Sequence, residues 1–222
     1  MPDTDLPPST PAGQGAWVSA VFKNTNNSRS FMHYPASPDG KVVVSRESAD
    51  LQKRMERGEP LEIGDIPRER FHRNKWQYAE SLPPVILTGY LALHRDVAAI
   101  FARFDLGGGR LHPIDLIEHD RTTLISSDYA ILTPGNAFEA FDLERSTGVK
   151  RIAFMDKVHH VVEVAGAKDR PVYVLQPGFS CAPDVWVDPR VMSSLFLSDR
   201  LVDALKAAKF EKFFSLTRCL PS

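Results

Sequence analysis

Seven histidines, two cysteines and 28 acidic side chains are the material for chemistry in this 222-residue chain. Their spacing organises few of them. His159 and His160 are adjacent, and neighbours on a strand point to opposite faces, so the two imidazoles would not share one ion. His112 and His119 flank Pro113 without a nearby third ligand, and neither H-E-x-x-H nor paired C-x-x-C occurs. No metal site is expected. There is no G-x-S-x-G elbow for a serine nucleophile. Cys181 sits near Ser180 and Asp184, and Cys219 near the end; a Cys–His pair meets only in space, so a thiol hydrolase stays open. Carboxylates pair at Asp115 and Glu118, at Glu139 and Asp142, and at Asp142 and Glu144. Pairs this common single out no acid–base site and read as solvated charges. Gly107, Gly108 and Gly109 follow a helical pattern instead of a strand and lack the Gly-Lys-Ser/Thr of a phosphate cradle. They read as a helix end and a flexible connector. No catalytic residue and no cofactor is expected from these patterns.

One stretch could recognise a polyanion. Arg68, Arg70, Arg73 and Lys75 interleave with Phe71 and Trp76, a basic–aromatic pattern suited to a nucleic-acid or scaffold adaptor. Against it stand a net charge of -1 and the acidic neighbours Glu59, Glu62 and Asp65. A solvated connector or a protein-contact segment is the preferred reading. With 43% hydrophobic and 25% charged residues, the composition excludes a disordered chain, a coiled coil and a supercharged nucleic-acid binder. Two cysteines are too few for a disulfide scaffold and fit reduced thiols in the cytoplasm. No apolar run approaches the roughly 18 residues of a membrane span. Residues 1–15 hold four prolines but no basic or apolar signal region, and read as a flexible tail.

The elements that would position these groups alternate strands with a few helices. Ala16–Phe22 reads as a strand, and residues 48–57 as a short helix with Leu51 and Met55 inward, ending near Gly58. Pro83 and Pro84 break the chain. Val97, Ile100, Phe101 and Phe104 then recur at i, i+3, i+4 and i+7, one face of an amphipathic helix. Leu111–Glu118 alternates as a strand whose Pro113 implies an edge or a bulge. Further strands are expected at 122–133, 137–143, 149–154, 158–164 and 172–175, with 177–189 irregular. Near the end, LFLS reads as a strand whose Ser198 caps a helix with Leu201, Ala204, Leu205 and Ala208 inward, followed by a strand at 212–216. LALHRDVAAIF and LFLSDRLVDAL share one plan: Leu93, Val97 and Phe101 match Leu197, Leu201 and Leu205 at a constant offset. Two related strand–helix–strand modules would explain it, although any two such units look alike over this length. The fold class is α+β, mostly antiparallel sheet with a few amphipathic helices. The domain plan is a tail at 1–15, a charged extension at 16–80 packed on the body, and a body at 81–222.

Three ordered segments carry a resemblance. PPVILTGYLALHRDVAAIFARFDLGGGRLHPIDL contains Pro83, Gly89 and Phe101 and closes its helix before Asp105. NAFEAFDLERS ends on Asp142 and Ser146. DVWVDPRVMSSLFLSDRLVDALKAAKFEKFFSL carries Ser198, Leu201 and Leu205. Over roughly residues 80–218 this order resembles the myxobacterial-type (MXAN-type) immunity proteins of bacterial polymorphic toxin systems, formerly a domain of unknown function. The sequence departs from that pattern at His94, where a Ser cap is usual, and at residues 209–212, where a Gly-containing turn is usual. The resemblance implies a non-catalytic cytoplasmic protein that binds and neutralises one cognate protein toxin by steric occlusion, without cofactor, nucleic acid or membrane. Aromatic and Arg residues dominate such interfaces, which makes Arg73, Trp76, Trp186 and Arg190 the candidate contacts. Core packing is the competing reading for both tryptophans.

Overall fold

The computed structural model describes residues 15–24, 27, 31–32, 46–73, 82–154, 157–162, 171–179 and 183–221. Its strands form antiparallel and mixed sheets with helices packed on them, an α+β fold. A six-stranded sheet runs in the order β2 (Phe31–Met32), β3 (Glu69–His72), β6 (Arg110–Ile117), β7 (Leu124–Thr133), β5 (Leu91–His94), β4 (Val85–Leu87). A four-stranded sheet runs β10 (Val185–Trp186), β12 (Leu195–Ser198), β1 (Ala16–Ser19), β13 (Leu216–Arg218). A third, smaller sheet runs β11 (Val191–Met192), β9 (Lys157–Val162), β8 (Val149–Phe154). The helices are α1 (Arg46–Glu56), α2 (Arg95–Phe101) and α3 (Asp199–Ala207).

Two modules share one architecture. In the first, β4–β5–β7–β6 are neighbours, all antiparallel, and α2 joins β5 to β6. In the second, β10–β12–β1–β13 are neighbours, all antiparallel, and α3 joins β12 to β13. The registers coincide: Val85 faces Leu93 and Ile86 faces Ala92, as Val185 faces Leu197 and Trp186 faces Phe196. The main-chain hydrogen bonds coincide too. His94 N–H donates to the Pro84 carbonyl at 2.8 Å, and Ser198 N–H to the Asp184 carbonyl at 3.0 Å. The related unit is therefore longer than strand–helix–strand. It is a strand pair, a helix and a return strand, completed by a fourth strand. In the first module that strand, β7, follows in sequence; in the second, β1 supplies it from the N-terminal end of the chain.

The helices meet between the modules. Val97, Ile100 and Phe101 of α2 bury against Leu201, Val202 and Leu205 of α3 in one cluster with Leu91, Leu93, Leu195 and Leu197. Fully burying such side chains contributes on the order of 1.5–3 kcal/mol each. Each helix begins on the last residue of the strand before it. The Ser198 side chain accepts the Leu201 N–H at 3.3 Å, and His94 Nδ1 accepts the Asp96 N–H at 3.4 Å, so the unusual cap at His94 is formed but long.

Several expectations move. β1 ends at Ser19, and a 3-10 turn at Val21–Lys23 follows. Residues 137–143 and 172–175 make only isolated bridges, Ala137 to Val187, Phe141 to Leu175 and Val174 to Leu220. The irregular segment 177–189 contains β10. Residues 211–213 form a 3-10 turn, and the last strand starts at Leu216 because Ser215, at φ 50°, redirects the chain. Pro113 pairs only with β7, ahead of the point at Asp115 where β3 joins, and the register shifts after Ile114. Proline, lacking an N–H, suits that unpaired side. β1 and β3 lie inside the two large sheets, so the expected boundary at residue 80 cuts through both.

Candidate interaction cleft

A small cleft, with a cavity volume of about 60 Å³, lies where the modules meet α1. Gly89 and Tyr90 line it from the β4–β5 turn, and Val187, Val191, Ser193, Ser194 and Leu195 from the corresponding β10–β12 connection. Pro134 follows β7 and Phe22 follows β1, which are equivalent strands. The cleft thus lies between matching ends of the two modules, with Gln52, Met55 and Glu56 of α1 along one side. α1 is held by its last turn: Arg54 pairs with Glu59 at 3.4 Å and with Asp65 at 3.4 Å, and Gly58 takes φ +66° as the helix ends. A Cβ at Gly58 would lie 2.4 Å from the Asn136 carbonyl oxygen.

Beside the cleft, Asn136 ties the modules together. Its side-chain amide donates to the carbonyls of Leu106, Pro134 and Val185 at 2.7–2.9 Å and accepts from Gly108 N–H at 2.9 Å. Gly107–Gly109 are packed here and are not a free connector. A Cβ at Gly108 would lie 2.4 Å from the Gly135 carbonyl oxygen, and one at Gly135 2.1 Å from that of Gly108. Only two glycines permit such backbone contact. Nothing in the spacing of Asn136 distinguishes it from a turn residue, so sequence reasoning missed it. Its signals in the sequence were the three glycines and its place at the head of NAFEAFDLERS.

The residues that carry the resemblance hold this framework. Pro83 offers its carbonyl to the Tyr129 hydroxyl at 2.8 Å, and Gly89 takes φ +79° in the β4–β5 turn. Phe101, Leu201 and Leu205 are fully buried, and Phe101 lies 5.7 Å from Phe214. Asp105 exchanges main-chain and side-chain bonds with Asp184, donating its N–H at 2.8 Å and accepting the Asp184 N–H at 2.7 Å. Asp142 accepts the N–H groups of Glu144 and Arg145, and the Ser146 hydroxyl accepts the Val174 N–H at 2.9 Å. Ser198 donates its hydroxyl to Asp184, which also pairs with Arg200.

The four candidate contacts scatter. Trp186 is fully buried, stacked on Phe196 with centroids 5.4 Å apart, so it is a core residue and not a surface anchor. Arg190 is pinned to Asp188 at 2.7 Å and to the Phe141 carbonyl at 2.8 Å, with only Glu139, at 3.4 Å, toward the exposed side. Asp188 is buried, and the guanidinium beside it is held above its ordinary pKa by that carboxylate. Arg73 is exposed at the end of β3. Trp76 lies outside the described residues, as does Cys181.

The middle of the basic–aromatic stretch, residues 70–72, is internal, while Arg68, Glu69 and Arg73 are exposed. Phe71 and His72 are buried, and Arg68 pairs with Asp115 at 2.7 Å. Arg70 is fully buried, and none of its three nitrogens has a hydrogen-bond partner among the described residues. Residues 70–72 are therefore neither a solvated connector nor a row of groups open to a nucleic acid. Cys219 is a buried thiol packed in a cluster with Phe141, Trp186 and Phe196. Among the described residues, no group of three metal-ligating side chains forms, and no helix is long and apolar enough to cross a membrane. Comparison with models of protein families finds no match to this chain, and comparison with curated proteins finds none either.

Proposed function

We propose that this chain is an immunity protein that binds one cognate bacterial toxin and neutralises it by covering the toxin's working surface, without catalysis of its own. What supports the reading is that the three segments behind the resemblance build one connected substructure. The first forms β4 to β6, the third β10 through α3 to the first residue of β13, and the second begins at Asn136, which bonds to both. A protein of this kind works by presenting a rigid, pre-organised surface, which lowers the entropy lost on binding. Charge on the partner would be steered by exposed groups such as Arg73 and the partly exposed Arg190.

Co-expression with the toxin encoded beside it tests the reading. Cells making both proteins are expected to grow, and a complex should survive purification. Killing of cells that hold soluble protein would overturn it.

A further inference from the structure

Arg70 combines full burial with five N–H donors and no acceptor among the described residues. Its guanidinium carbon lies 5.2 Å from the centroid of the Tyr90 ring, and Tyr90 is one of the residues that line the cleft. The ring face offsets part of the charge but accepts none of the N–H bonds. Burial pulls the Arg70 pKa down to about 10, which leaves it charged at neutral pH. A buried cation with unsatisfied donors is costly, and the complement that fits its planar fork is a carboxylate with two oxygens. The cleft supplies the rest of a binding site. Phe22, Met55, Pro134, Val187, Val191 and Leu195 offer an apolar lining, and Glu56 is engaged by Gln52 at 3.4 Å. Arg70 itself does not line the cleft; Tyr90 stands between the two.

We propose that the cleft binds a small organic carboxylate with an apolar body, the acid group passing the edge of Tyr90 to pair with Arg70. This goes beyond the toxin-binding reading and does not depend on it. The test is an NMR titration of the full chain with phenylacetate and, separately, with its uncharged isostere phenylacetamide. Phenylacetate should shift the resonances of Met55, Gly89 and Tyr90 and bind at least tenfold more tightly than the amide. Arg70→Met should abolish that preference while raising the denaturation midpoint, since it removes a buried unpaired charge. Equal binding of acid and amide, shifts away from the cleft, or an acid preference that survives Arg70→Met would overturn the proposal. The acid–amide comparison on the unmodified chain needs no variant to fold. A folded Arg70→Met protein that loses toxin protection, from a parent with no acid preference, would also overturn it and assign Arg70 to an acidic toxin side chain. Failure of the unmodified chain to protect cells would bear on the toxin reading alone.

Discussion

The two modules have the same strand order and register, yet their residues agree on only one face. Val85, Leu91, Leu93, Val97 and Phe101 in the first match Val185, Leu195, Leu197, Leu201 and Leu205 in the second, and all ten belong to the shared cluster around α2 and α3. On the opposite face the pairs diverge. Ile86 and Ala92 lie under Tyr90 and α1, whereas Trp186 and Phe196 stack in an aromatic cluster with Phe141 and Tyr173. Side chains alternate across a strand, so each module meets its twin with one face and a different environment with the other. The common face keeps its volume; the outer face is shaped by what covers it. The modules also differ in anchoring. The first opens on Pro84 with no charged side chain, while the second opens on Asp184, a buried carboxylate bonded to Ser198, Arg200 and the Asp105 N–H.

That asymmetry can be broken in order of size. Asp184→Ala should destabilise by about 3 kcal/mol, because it strands the Asp105 N–H and the Arg200 charge, which keeps some contact with water. Pro84→Ala, at the equivalent place, should cost under about 1 kcal/mol, since its role is a carbonyl that alanine also has. Urea unfolding midpoints would decide; equal losses would mean the charged network contributes little. The caps come next. Ser198→Ala should cost about 1 kcal/mol or somewhat more, as it also loses the bond to Asp184, while His94→Ala should cost a few tenths, its bond being long and exposed. Thermal unfolding of both variants at one pH checks this.

The smallest effect concerns pH. His112 is buried in the first module, and the equivalent position in the second is Thr217. Burial lowers the His112 pKa below the ordinary 6.5, so the unfolded chain takes up a proton before the folded one does. Stability from this residue is full above about 6.5 and falls as pH drops below it. His112→Gln should flatten the dependence of unfolding temperature on pH below that value. An unchanged slope would remove His112 from the account.

Much of the framework was legible. The i, i+3, i+4, i+7 stripe located α2, Ser198 located the start of α3, and the constant offset between Leu93 and Leu197 pointed to related modules, because helix periodicity and caps are local properties. The cleft was not. Its walls come from residues 22, 52–56, 89–90, 134 and 187–195, which no local pattern associates. Arg70 looked like part of an exposed basic run, since a charged residue on a short strand carries no mark of burial. Trp186 drew attention as an interface residue by type alone, and its neighbours Phe179 and Phe196 settled it in the core.

By itself the sequence determined the fold class, both long-patterned helices and the shared apolar face that repeats between modules. These follow from periodicity, which is set by neighbours a few residues apart. Only the tertiary structure decided that β1 completes a sheet whose other strands lie between Val185 and Arg218, that glycines at 107–109 and 135 meet backbone to backbone, and that a guanidinium sits without partners among the described residues behind Tyr90. Each depends on which distant surfaces come into contact, and contact at that range is set by the packing of whole elements.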